Sequence, residues 1–290
     1  MTMPLRSLDH LVLATVSTTV ARTRLTALGF TVAADARHPF GTENACVFFA
    51  DKTYIEPLAV TDAATCMASA RAGNVFVARH QAFRFRCGEG LSAIVLATGD
   101  ADDDHQRFRE AGISAGDMLS FSRPMKLPDG SEAVGSFKLA FAADLRAPDF
   151  FAFNCQRVQS LPSDRAALEK HANGVTAMAG IVLAECHPAD FSNFLAEILG
   201  VSAAATAGVL EYRIANAIIS VADREGLDDG FASAVDPSRG LRGRAILFTV
   251  ADLKATEALL LSSGIDYMRR HNRLVVPPAP GQGAIFAFGE

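Results

Sequence analysis

Tryptophan is absent from the 290 residues and tyrosine occurs three times, so aromatic character rests on 20 phenylalanines, rings without a polar handle. No CxxC pair exists. Cys46, Cys66, Cys87, Cys155 and Cys186 are scattered and odd in number, which fits neither a zinc clip nor a disulfide framework. No run approaches the roughly 20 apolar residues of a bilayer crossing. The opening MTMPLRSLDH lacks an apolar stretch of signal-peptide length. These absences lead to the expectation of a cytoplasmic protein with reduced thiols and no membrane partner. Long blocks of one charge are missing too. With 27 basic and 32 acidic side chains the net charge is −5, and no basic stripe is available to neutralise a phosphate backbone, so no nucleic-acid partner is expected. Absence of a GxSxG elbow, a P-loop, a strand-anchored GxGxxG and an HExxH pair argues against nucleophilic hydrolysis and nucleotide chemistry.

What the chain does have is internal repetition. LDHLVLAT at 8–15, LSAIVLAT at 91–98, MAGIVLAE at 178–185 and GRAILFTV at 243–250 are short apolar runs of the kind that form buried strands. Each precedes a helix-like stretch ending on glycine. The separation from the third strand residue to that glycine is 19 or 20 residues in every case: His10 to Gly29, Ala93 to Gly112, Gly180 to Gly200 and Ala245 to Gly264. Three more strand candidates follow the first helix, as FTVAADARH, ENACVFFAD and KTYIEPLAV, and the final strands of the other units fall at 149–156, 216–223 and 283–290. The unit is βαβββ, four times over.

The predicted class is therefore α+β, with four βαβββ units paired into two cupped mixed sheets, because a lone unit leaves open edges and a bare apolar face. The expected divisions are a first domain at 1–157, a linker at 158–171 and a second, degenerate domain at 172–290. A helix is expected within 61–90, covering part of the first sheet.

Paired βαβββ units of this kind resemble the vicinal oxygen chelate superfamily of glyoxalases, extradiol dioxygenases and bleomycin-resistance proteins. LDHLVLATV, HPFGTENACVFFADKTYIEPLAV at 38–60, FSRPMKLPDG at 121–130, FNCQ and HANGVTAMAGIVLAE at 171–185 are similar to its glyoxalase-like domain family. The resemblance implies a divalent metal (Zn, Ni, Fe, Mn or Co) held by side chains from the first and last strands of two paired units. His10 and Glu56 occupy those positions in unit one, and Glu56 also carries the catalytic role of ligand or proton shuttle. Unit two is deficient: Ala93 replaces the expected ligand, and Asn154 falls near the position of Glu56. Gly180 and Ala245 leave the second half emptier still.

His38, Thr42, Asn44, Asn154 and Arg157 are the candidate substrate contacts, with His38, Thr42 and Asn44 also explicable as turn residues around Pro39 and Gly41. Arg79, His80, Arg84 and Arg86 read as an exposed basic face. Two functions follow. One is a metal-dependent lyase or isomerase acting on a small oxygen-rich molecule, dioxygenase action being less favoured for want of two histidines and a carboxylate. The other is a metal-free binding protein of the bleomycin-resistance type, with no cofactor. A small-molecule ligand is expected under either, and the second half is available for dimerisation.

Overall fold

The computed structural model describes residues 5–126, 132–159, 165–206, 208–227 and 240–290. The first unit comprises β1 (Ser7–Ala14), α1 (Thr18–Ala27), β2 (Ala36–Arg37), β3 (Thr42–Asn44), β4 (Val47–Phe48) and β5 (Tyr54–Val60). Helices α2 (Ala63–Arg71) and α3 (Val75–Cys87) follow. The second unit is β6 (Gly90–Ala97), α4 (Ala101–Glu110), β7 (Leu119–Lys126), β8 (Glu132–Ala142) and β9 (Phe151–Arg157). The third is β10 (Val175–Ala184), a 3-10 turn at Pro188–Phe191, α5 (Ser192–Leu199), β11 (Ala204–Thr206), β12 (Val209–Arg213) and β13 (Ile218–Ala222). The fourth is β14 (Arg242–Val250), α6 (Leu253–Ser262), β15 (Met268–Arg270), β16 (Arg273–Val276) and β17 (Ile285–Gly289).

Each half makes one sheet, ordered β2-β3-β5-β1-β6-β9-β8-β7 with β4 also on β5, and β11-β12-β13-β10-β14-β17-β16-β15. In every unit the first strand runs parallel to the last, and the two units of a sheet meet through antiparallel first strands. The glycines that end the helices confirm the reading of the repeat. Gly29, Gly112, Gly200 and Gly264 have φ of 84°, 69°, 69° and 65°, the left-handed region where a Cβ is penalised.

Three details depart from the sequence reading. The second and third strands of unit one are fragments, because the HPFG turn and the break after Asn44 interrupt pairing. Residues 61–90 hold two helices, capped by Asp62 and Asn74, instead of one. The halves form separate sheets but share one core: a single apolar cluster runs from Leu8, Phe30 and Phe49 to Phe248, Phe286 and Phe288. Phe248 sits 5.4 Å from the Phe30 ring and 5.6 Å from Phe49. The linker is tied back to unit one, since His171 Nδ1 accepts from the Thr31 N–H at 3.0 Å and its Nε2 meets the Phe48 carbonyl at 2.9 Å. Its residues 160–164, and LPDG of the 121–130 segment, lie outside the described residues.

Each sheet carries a reciprocal pair of β-bulges at its centre. In the β1/β6 ladder Asp9 is the extra residue on one strand and Ser92 on the other. In β10/β14 the same places fall to Ala179 and Arg244. A bulge breaks the alternation of faces, so Leu8 joins the helix-side core with Leu11 and Leu13 while Asp9 is released to act beside His10 on the concave side.

Because the core is shared, the halves are expected to unfold together. Phe248→Ala, a change in the second half, should lower stability by about 3–5 kcal/mol in a denaturant titration and move the unfolding of both halves to one lower midpoint. Two separate transitions, with the first unmoved, would contradict this.

Candidate functional site

Alternation along β1, β5 and β9 directs His10 and Val12, Tyr54 and Glu56, and Phe153, Cys155 and Arg157 to the concave face of the first sheet, where α3 packs over them through Val75, Phe76 and Val77. The result is a lined cavity: His10, His38, Tyr54, Glu56, Arg123 and Cys155 among the rings of Phe40, Phe76, Phe121, Phe137 and Phe153.

His10 and Glu56 come together as buried neighbours, with His10 Nε2 3.4 Å from Glu56 Oε2. On the other side of the ring, His10 Nδ1 meets Asp9 Oδ1 at 2.7 Å. Tyr54 stacks on the imidazole with centroids 4.3 Å apart. Arg157 closes the outer end by a two-pronged ion pair to the Asp9 carboxylate, its second contact at 2.8 Å. Asn44 closes the inner end, its Nδ2 donating to Glu56 Oε1 at 2.5 Å. An arginine, an aspartate, a histidine and a glutamate thus form one chain of alternating charge.

The electrostatics follow from that chain. Burial opposes ionisation of both carboxylates, but the hydrogen bonds and charge of His10 prevail and hold Asp9 and Glu56 down at about 2. Burial likewise opposes a charged His10, and the two carboxylates overcome it and raise its pKa above the ordinary 6.5. The balance of these contacts favours the protonated form of the ring.

His38 lies in the turn between β2 and β3, so turn chemistry and site placement coincide. Its backbone N–H donates to the Thr42 carbonyl at 2.8 Å, its Nδ1 meets Thr42 Oγ1 at 2.9 Å, and its Nε2 stands 3.8 Å from Glu56 Oε1. The ring stacks on Phe40, 5.0 Å between centroids. Desolvation pushes its pKa down to about 4, so it is neutral. His80 of α3 is buried with neither ring nitrogen hydrogen-bonded, and burial lowers it to about 4 as well.

Several expectations need correction. Asn154 is not in the cup: the β6/β9 register puts Ala93 opposite Phe151 and Val95 opposite Phe153, so the counterpart of Glu56 is Phe153. Asn154, one residue on, faces the helix side, fully buried with its amide atoms unbonded. Arg157 does not offer its guanidinium to a ligand, because Asp9 engages it. The basic face of α3 disperses, with His80 buried, Arg84 on the Gly88 carbonyl and Arg86 on Asp149. Glu43 turns away to Thr18 and Arg37.

Two residues were missed. Asp9 follows directly from the bulge, which the alternation rule would have hidden by sending it to the opposite face. Arg123 lies on β7 within the FSRPMKLPDG segment that carried the resemblance, but it was given no role there, and the folding of the edge hairpin brings it to the cavity.

The implied divalent ion does not fit this donor set. Two imidazoles and a carboxylate are present, yet Glu56 lies between the rings, one oxygen toward each. Among the described residues no group of three His, Cys, Asp or Glu side chains is placed to hold a metal. The second cup offers less still: the register equates Gly180 and Ala245 with His10, and Ser220 and Ala287 with Glu56. Glu290 accepts from the Leu253 N–H instead.

The family model of the glyoxalase-like domain matches residues 8–199. A hypothetical protein from Staphylococcus aureus has the same fold with a TM-score of 0.68 at 10% identity, covering 98% of this chain and 99% of that one. A triple mutant of 4-hydroxymandelate synthase from Streptomyces coelicolor gives 0.63 at 13%, over 99% and 92%. The Mn(II)-bound glyoxalase from Novosphingobium aromaticivorans gives 0.53 at 10%, over 98% and 82%. At such identities the likeness establishes the fold alone. No curated protein matches the chain.

The charge chain generates a pH signature. Asp9 and Glu56, depressed from 3.8 and 4.5 to about 2, stabilise the fold above those ordinary values and lose that contribution as pH falls through 2. His38 and His80, depressed from 6.5 to about 4, cost stability as pH falls across that interval, because the unfolded rings bind protons the folded ones refuse. His10, raised, contributes below 6.5 and loses its share as pH climbs through its folded value. Denaturant midpoints should therefore decline in two stages on acidification, and His80→Leu should flatten the upper one. In an NMR titration His10 should deprotonate above an exposed histidine, and Asp9→Asn should lower its pKa by about one unit or more. A His10 that titrates below 6.5 would remove the imidazolium.

Proposed function

The chain belongs to the glyoxalase-like domain family of the vicinal oxygen chelate superfamily, and we propose that its first cup binds a small molecule without a resident metal, as in the sequestering, bleomycin-resistance type of activity. The observation that carries this is the Arg157–Asp9–His10–Glu56 chain, capped by Asn44. It satisfies the buried carboxylate internally, a task that would otherwise fall to an ion. The aromatic lining supports a partly apolar ligand. The free thiols and the lack of any helix, among the described residues, long and apolar enough to cross a membrane are compatible with a cytoplasmic setting.

One observation favours lyase or isomerase chemistry as a second reading: His10 lines the cavity with its pKa raised by the carboxylates on either side, which suits an imidazole that gives a proton to a ligand oxygen. In that case Glu56, held near 2, orients His10 instead of acting as a base, since a carboxylate so far below neutrality takes up protons poorly.

Elemental analysis of protein purified without an affinity tag tests the proposal. Metal well below one equivalent and a melting temperature indifferent to EDTA are the expected results. One equivalent of metal, lost in both His10→Ala and Glu56→Gln, would overturn the metal-free reading and favour catalysis.

A further inference from the structure

Among the described residues that line the first cup, one basic side chain has no acidic partner. Arg157 is paired with Asp9, and His10 lies between Asp9 and Glu56. Arg123, on the β7 edge strand, is left over. Its Nε and Nη1 atoms are buried and have no hydrogen-bond partner, and its guanidinium carbon stands 5.9 Å from the Phe137 centroid, so a ring covers one face while the N–H edge remains unsatisfied. A buried guanidinium without an acceptor forfeits strong hydrogen bonds, and its planar fork matches a carboxylate.

We propose that the first cup is a receptor for small organic monocarboxylates, with the ligand carboxylate on Arg123 and its apolar body among Phe40, Phe76, Phe121, Phe137 and Phe153. The inference rests on the small-molecule reading above and names the ligand class. One carboxylate matches the one unpartnered guanidinium of the lining, whereas a second acidic group on the ligand would face Asp9 and Glu56. The ring arrangement suits a flat body: Phe121 stacks on Phe137 at 5.2 Å and meets Phe40 edge-on at 5.2 Å, with His38 edge-on at 5.8 Å. The cavity measures about 40 Å³, room for a few waters or a compact acid. A larger body requires Phe121 to give way, and its strand β7 is the free edge of the sheet.

Calorimetric titration with acetate, benzoate and neutral benzamide tests this. Benzoate is expected to bind, with benzamide weaker by about tenfold or more. Arg123→Gln should weaken benzoate by about tenfold or more and leave benzamide unchanged, with Arg123→Lys intermediate. Unaltered melting temperatures establish that the variants fold, and the lysine variant keeps the test valid if glutamine does not. Should benzamide equal benzoate, or the Arg123 variants bind benzoate like the wild type, the carboxylate assignment fails while the binding cup stands. If neither acid nor amide binds at millimolar concentration, the cup itself fails as a receptor and both readings fall.

Discussion

Glu56 stands in the middle of an apolar strand, and its burial is the constraint on which the first half depends. Leaving a carboxylate there alone would cost several kcal/mol or force it to protonate. The molecule answers with His10 on one oxygen and Asn44 on the other. That answer buries an imidazole whose other nitrogen also needs a partner, and Asp9 supplies it. The carboxylate of Asp9 is solved in turn by Arg157, whose half-exposed guanidinium finally reaches water. Charge is passed from the interior to the rim in four steps, and each residue is explained by the one inside it.

The two sheets show what the architecture requires and what it does not. Both have the same strand order, the same parallel closure of each unit and the same central bulges. At the positions that match His10 and Glu56 the second has Gly180, Ala245, Ser220 and Ala287, none of them charged. The second is packed with Val182, Ala245, Val275, Ile285 and their neighbours. Polar chemistry in the first cup is thus an addition to a scaffold that closes without it, and the second sheet supplies core to the first through Phe248.

The fold was largely legible in the residues, because fourfold spacing between a strand and a helix-ending glycine is hard to produce otherwise. Strand limits in unit one were not, since of the stretches read as strands at 30–38 and 43–51 only Ala36–Arg37, Thr42–Asn44 and Val47–Phe48 pair. His10 and Glu56 were legible from their place in first and last strands. Asn154 was misplaced by one residue, enough to invert its face. Asp9 was invisible for the complementary reason: an inserted residue resets the alternation that any reading of a strand assumes. Arg123 sat inside a segment the sequence had marked, but its place in the cup depended on a hairpin closing over it, a long-range event that the segment alone does not reveal.

The paired bulges have a consequence for how such a protein can change. At a bulge two successive residues serve one side of a sheet, so a charged couple can be installed by neighbouring codons with no shift in register. The chain holds four of these seats by symmetry, at Asp9, Ser92, Ala179 and Arg244. One is furnished with an acid and a base side by side; in the second half the same couple is Ala179 and Gly180, where a Cβ on the glycine would meet the Ile218 carbonyl oxygen at 3.0 Å and Leu247 Cδ1 at 3.2 Å, so a side chain enters that seat only if the adjoining strand gives way.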